Sequence, residues 1–390
     1  MDAGARFPDI PRAVERLLTD EHEPLPPLAD LPDRAQHVLV VLLDAFGMRF
    51  VERHADHPLL RRFARDGSVT PVASQFPSTT TAHVTTMHTG LPVGLHGLYE
   101  WHVLEPAWDA IVTPLRSALG QGEGDSLLAA GLDPAVLVPP GPNLYDRLGA
   151  AGVTVTVHQP DRFSPSTFDR AVCGSARLAP FAELAEGVRA AVAALTAADR
   201  GYAYVYWDLI DTQGHMTGPA SPAFDARAVE ALDALDDALF GPAAPPIPDD
   251  TLLLLTADHG QLDVDPTSVL WLDELHPPLR DLRHGPAGSA RDVFLHVPEP
   301  DVDATVTALR AAVGDAAEVL PVAELLATEA FGPEVGPRLL ERLATVAVLP
   351  APGRMAWLRG HGDHQHRFRG HHGGRTPEET RTHLSVLRLG

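Results

Sequence analysis

Residues 37–44 read His-Val-Leu-Val-Val-Leu-Leu-Asp, an apolar run closed by a single acid. A Val- and Leu-rich run without polar alternation is expected of a strand buried on both faces, as in a parallel sheet covered by helices. Asp44 then stands at the C-terminal end of that strand, the edge at which open α/β sheets place their sites. Similar runs recur at Val153–Val157, Tyr202–Trp207 and Thr251–Thr256. Between them, Pro180–Leu195 and Asp225–Leu239 space Ala and Leu as amphipathic helices do. Strands alternating with helices predict an α/β fold with a mostly parallel central sheet sandwiched by helices.

The stretch 265–369 has a different rhythm. Pro-rich breaks lead to a strand expected at Asp292–Val297, a helix at Asp303–Val313 and a helical patch at Pro337–Leu343, and Thr382–Leu387 returns as a final strand. The chain is therefore expected to have a core formed by 1–264 and 370–390 and a smaller α/β insert or cap at 265–369. The Pro-rich arm before Ala35 and the stretch Ala118–Pro142 read as surface coverings. No internal repeat is present.

With 390 residues and 41.7 kDa, the chain can bury a large core. Its formal charge of -22, from 52 acids against 30 arginines and no lysine, argues against a surface that neutralises a nucleic-acid polymer. The missing lysines read as compositional bias. A small phosphate ester stays compatible, because bound cations can reverse the local sign. Cys173 is alone, which excludes an intrachain disulfide and a cysteine-based zinc site. Any metal must be held by His and carboxylates. No apolar stretch reads as a signal peptide or a membrane span, so a soluble, cytoplasmic protein is expected. The oligomeric state is not encoded in any pattern we recognise.

Chemistry-bearing groups cluster in four segments. Asp44 follows the first strand. Asp211-Thr-Gln-Gly-His215 pairs a carboxylate and an imidazole across what reads as a tight Gly-containing loop, and Asp258-His259 follows the run at 251–256. His371-His372-Gly-Gly lies near the C-terminus. Each segment alone is compatible with capping or packing, but together they supply ligands for two metal ions. Ser78-Thr-Thr-Thr81 precedes a helical stretch. One of these hydroxyls suffices as a cap, and another at a helix N-terminus beside a cation would suit a nucleophile. His361, His364 and His366 read as a solvated loop, and Trp101 reads as either a buried aromatic or the wall of a base or aryl pocket.

These motifs, in this order and spacing, resemble the alkaline phosphatase superfamily and, within it, the type I phosphodiesterase/nucleotide pyrophosphatase branch. The resemblance covers Val38–Glu100, Asn143–Gly260 and His371–Leu387. In that family the nucleophilic threonine lies ten residues before the Gly of a Thr-Gly-Leu turn; Thr89-Gly90-Leu91 puts that position at Thr80. The resemblance implies two divalent metal ions, zinc in similar enzymes. One would be bound by Asp211, His215 and His372, the other by Asp44, Asp258, His259 and the Thr80 oxygen. It also implies a phosphate-contacting residue three positions after the nucleophile, here His83, and with Trp101 this completes the expected substrate-binding set. The implied activity is hydrolysis of a small-molecule phosphodiester or nucleotide pyrophosphate through a covalent phosphothreonine, with no membrane partner. A phosphomonoesterase or phosphonate hydrolase of the same superfamily is the alternative, and a non-catalytic metal-binding interaction protein is the alternative from another class. A sulfatase would need a modification motif that Phe76-Pro-Ser-Thr79 lacks, and a cofactor-independent phosphoglycerate mutase would need a serine nucleophile and more basic residues.

Overall fold

The computed structural model describes residues 4–19, 28–120, 122–362 and 365–389. The run at 37–43 forms a strand buried along its whole length. It lies at the centre of a seven-stranded sheet ordered Ser68–Ala73, Arg381–Leu389, Thr251–Thr256, His37–Leu43, Gly201–Trp207, Thr154–Pro160, Arg177–Phe181. The pairings around His37–Leu43 and Thr154–Pro160 are parallel. Only Arg381–Leu389 runs antiparallel to both neighbours.

Alternation along the central strand divides the interior into two layers, since successive side chains leave a sheet on opposite faces. Val38, Val40 and Leu42 pack with Tyr202, Tyr204, Leu252 and Leu254 against the helix Asp9–Leu18. Leu39, Val41 and Leu43 pack with Val205, Leu253 and Leu255 against Leu184–Thr196 and Pro222–Phe240. Helices on both faces explain why the strand could be apolar throughout. Leu43 pairs with Trp207 and Leu42 with Thr256, so three adjacent strands end together and deliver Asp44, Asp258 and the turn before Asp211 to one edge.

The N-terminal arm is not a mere covering. Asp9–Leu18 is a helix whose Ile10, Val14 and Leu17 share one fully buried face at helical spacing. Its prolines disguise it: Pro8 caps the helix and Pro11 sits in the first turn, where no backbone N–H needs an intrahelical acceptor. Likewise, within Ala118–Pro142, Leu127 and Leu137 are fully buried. Strand Ser68–Ala73 went unread because it is half-exposed and contains Pro71, a residue tolerated at a sheet edge.

Within 265–369 the expected elements appear as Asp292–Leu295, Val302–Val313 and Pro337–Arg342. Asp292–Leu295 belongs to a four-stranded antiparallel sheet with Ala287–Ser289, Val346–Pro350 and Ala317–Pro321. One face of that sheet covers Val302–Val313. The other, with Phe294, Leu320, Ala347 and Leu349, joins the core beneath the large sheet. Two buried ion pairs fasten this region to the body, Arg342 to Glu105 at 2.6 Å and Arg291 to Glu379 at 3.0 Å. Among the described residues no helix is long and apolar enough to cross a membrane.

Candidate metal centre

Thr80 opens the helix Thr80–Thr89, after an extended Thr79. Its Oγ1 lies 3.4 Å from Asp44 Oδ2 and 3.3 Å from His259 Nε2. The neighbouring hydroxyls do other work. Ser78 laces this segment to the C-terminal loop, donating to the Gly374 carbonyl at 2.9 Å and accepting the Gly373 N–H at 3.1 Å. Thr85 and Thr89 donate back to carbonyls one turn earlier, and this internal bonding satisfies their buried hydroxyls.

Asp211 and His215 do not lie on a loop. They sit one turn apart on the helix Leu209–Thr217, so the i, i+4 relation, not a glycine turn, brings His215 Nε2 within 3.2 Å of Asp211 Oδ2. His372 Nε2 approaches the other oxygen, Oδ1, at 3.6 Å. Asp211, His215 and His372 thus form one cluster with ligand atoms all within 4.8 Å of one another, and Asp44, Asp211 and His259 form a second. Asp211 is common to both. Asp258 Oδ2 joins the second from the side, 3.2 Å from His259 Nε2.

The hydrogen bonds around these clusters fix the direction of each lone pair. His215 Nδ1 meets the Gly370 carbonyl at 2.8 Å, His259 Nδ1 the Gly260 carbonyl at 3.1 Å, and His372 Nδ1 the Ser78 carbonyl at 2.9 Å. A carbonyl only accepts, so each Nδ1 is the donor and each Nε2 turns a lone pair into the clusters, as metal-ligating histidines do. At His259 that lone pair faces Asp258 Oδ2 at 3.2 Å and Asp44 Oδ1 at 3.6 Å. Both carboxylate oxygens are buried and, among the described residues, without a hydrogen-bond donor. Acceptors crowded together and orphaned from water carry a cost that a cation would remove. The donor set, oxygen and imidazole nitrogen with no sulfur, fits divalent metal ions.

Electrostatics agree with an acidic cluster awaiting positive charge. Burial, then Asp258 and Asp211, push the Asp44 carboxyl well above the usual range. Burial lifts Asp258 to about 7 against the opposing Ala45 N–H. Asp211 is held below its usual value despite burial, through His215 and His372. His215 is raised by Asp211 against its own burial, whereas burial keeps His259 and His372 neutral well below the usual range.

The two remaining expectations part ways. Trp101 lines the cleft over Thr80, together with Thr79, Glu100, Ser289, Phe368 and His371. His83 does not reach it: the ring is fully buried behind the helix, with Nε2 accepting the Gln75 N–H at 2.9 Å and Nδ1 donating to the Thr79 carbonyl at 2.7 Å. Although three residues on from Thr80, the His83 ring is turned back to the Gln75 N–H and the Thr79 carbonyl of its own segment. His371 borders the cleft without entering either cluster, which favours His372 as the ligand. His361 and His366 stand outside both clusters, and His364 lies outside the described residues.

Four contributors were not foreseen. Tyr206 donates its hydroxyl to Asp44 Oδ2 in a short contact, and its position near a strand end opposite Leu42 was the available signal. Glu100 is raised to about 7, chiefly by burial, and shares a buried niche with Asp292 and Ser289. Ser289 and Asp292 come from the small sheet, so that region reaches the cleft; nothing in the local pattern announced it.

The chain matches the family model for type I phosphodiesterase/nucleotide pyrophosphatase over residues 38–375. No curated protein matches it in sequence. Among solved structures it is similar to an inactive form of murine ectonucleotide pyrophosphatase/phosphodiesterase 5 in complex with AMP, with a TM-score of 0.69 at 17% identity, covering 90% of this chain and 88% of that one. The human form of that protein aligns with a TM-score of 0.69 at 15% identity, over 90% and 87% of the two chains. Phosphonoacetate hydrolase from Sinorhizobium meliloti aligns with a TM-score of 0.59 at 16% identity, over 93% of each chain. At these identities the structures speak for the fold, while the family model spans most of the sequence: the chain belongs to the type I phosphodiesterase/nucleotide pyrophosphatase family.

Proposed function

We propose that this protein hydrolyses a small-molecule phosphodiester or nucleotide pyrophosphate, with Thr80 as nucleophile and two divalent metal ions, zinc, as cofactors. One ion would be held by Asp211, His215 and His372, the other by Asp44, Asp258, His259 and Thr80. The observation that carries the reading is the position of Thr80 Oγ1, within 3.4 Å of Asp44 and 3.3 Å of His259, at a helix N-terminus between the two clusters. AMP bound to a structural neighbour agrees with a nucleotide-like substrate.

Bound ions there would lower the pKa of an attacking oxygen and offset charge on the phosphoryl group and leaving oxygen. Thr80 is oriented for attack because its N1 position fixes the hydroxyl at the positive end of the helix dipole. Its oxygen forms a bond to phosphorus as the bond to the leaving oxygen breaks, giving a phosphothreonine. Water then attacks that phosphorus, releases Thr80 and completes hydrolysis with net retention. Tyr206 holds Asp44 in place, and the three Nδ1 contacts hold the imidazoles.

A diester is favoured over a monoester because, among the described residues, no arginine lines the lobe beside His215 and His372 to offset the second phosphoryl charge. Zinc-reconstituted protein is expected to hydrolyse the 4-nitrophenyl ester of thymidine 5′-monophosphate faster than 4-nitrophenyl phosphate. Preference for the monoester would overturn the diester assignment, and activity on neither would direct attention to phosphonates.

A further inference from the structure

Past Thr80 the cleft opens into a second lobe, of about 270 Å³, on the Asp44 side. Thr80, Trp101 and Asp211 border both lobes, so the reacting phosphate would sit where they meet. The walls of the second lobe are mainly apolar and aromatic: Val84, Trp101, Leu115, Phe163, Phe168 and Tyr206. Such walls accept a flat or apolar organic group.

Arg116 is the one cationic side chain among the described residues lining this lobe. It closes the short turn Pro114–Arg116, is exposed, and makes no side-chain hydrogen bond or ion pair among the described residues. The acids of the lobe are engaged elsewhere. Asp208 pairs with Arg162, Asp169 caps its own helix through the Ser166 N–H, Asp44 accepts from Tyr206, and Asp211 pairs with His215. In a chain carrying 52 acids against 30 arginines, a guanidinium left unpaired in a cleft is available to a ligand. Among the described residues it contacts neither Asp44 nor Asp211. A planar guanidinium fork matches phosphate oxygens in pairs.

We propose that the second lobe holds the organic arm of the substrate and that Arg116 binds a second phosphate carried on that arm. The inference rests on the phosphodiester reading and adds a substrate class to it: a nucleotide-like diester bearing a further phosphate remote from the scissile bond.

Calorimetric titration of zinc-loaded wild type and Arg116→Ala with AMP, adenosine 2′,5′-bisphosphate and adenosine 3′,5′-bisphosphate tests it. One bisphosphate is expected to bind wild type about ten-fold tighter than AMP, a typical gain for a charge-assisted contact. Arg116→Ala is expected to erase that advantage and Arg116→Lys to restore part of it. Equal affinity for AMP and both bisphosphates, no binding of any, or an advantage that survives Arg116→Ala would overturn the proposal. A bisphosphate advantage that depends on Arg116, in protein that fails to cleave the nitrophenyl nucleotide, would strike the phosphodiester reading alone.

Discussion

In the proposed mechanism Thr80 acts through an atom and Tyr206 through a contact. Replacing Thr80 with Ala removes the proposed nucleophile while leaving the six carboxylate and imidazole side chains of the two proposed metal sites untouched on other segments. Turnover of the nitrophenyl nucleotide is expected to fall by about 10⁴-fold or more, the scale seen when a nucleophile is deleted, while zinc remains bound by atomic absorption. Tyr206→Phe keeps the ring packed against Phe163 and removes only the donor to Asp44. Loss of such a ligand-orienting contact costs about 10- to 100-fold in metal affinity, to be measured by competition with a chromogenic chelator. His83 supplies the contrasting case. Because both of its nitrogens are spent on the Gln75 N–H and the Thr79 carbonyl, His83→Ala should lower stability and leave the ratio of monoester to diester hydrolysis where it was. The identities of Asp44, Asp258, His259 and His372 were legible because each follows an apolar run or precedes a glycine pair. The direction of His83 was not, since a spacing along the chain does not say that its ring would be taken up by the Gln75 N–H and the Thr79 carbonyl.

At the level of elements, the large sheet could be read directly wherever strands are buried on both faces. His37–Leu43 and Thr251–Thr256 match the sequence expectation residue for residue. Strand Ser68–Ala73 and the helix Asp9–Leu18 escaped it, one because an edge strand is only half apolar and the other because prolines occupy its first turn. The helical setting of Asp211 and His215 escaped for a related reason. Gly214 sits inside that helix against Gln261, and a mid-helix glycine imitates a turn. The small sheet reaches the centre through Arg291, which holds both Glu379 oxygens at 3.0 Å, while Glu379 accepts the Gly374 N–H at 2.9 Å beside His372. Arg291→Met would leave Glu379 buried and uncompensated. A loss of about 3–5 kcal/mol in stability is expected, read from urea unfolding of the metal-loaded protein.

For the whole molecule, stability should depend on pH and on metal in separable ways. His88, His96 and His383 are fully buried, and burial lowers each to about 3. Unfolded, each takes a proton near its ordinary value of about 6.5. The folded state therefore binds fewer protons between those limits. Their contribution is complete above about pH 6.5 and is lost as pH falls toward 3, at about 1.4 kcal/mol per pH unit for each residue. His88→Gln should flatten the acid limb of a denaturation profile by one such increment. Chelation acts instead on the crowded oxygens of Asp44 and Asp258. With free zinc at 100 times its dissociation constant, binding is worth about 2.7 kcal/mol per site, so chelation should lower the melting temperature by calorimetry.

The strand Arg381–Leu389 lies between Ser68–Ala73 and Thr251–Thr256, and His372 lies just before it. Biosynthesis delivers both after nearly everything they touch. Until they leave the ribosome, Thr251–Thr256 has an open edge, and the cluster around Asp211 lacks its third ligand. The cluster around Asp211 is therefore completed only once His372 has been made, after every other residue of both clusters. A message broken upstream of codon 372 yields a product without that third side chain of the Asp211 cluster even where most of the sheet has formed.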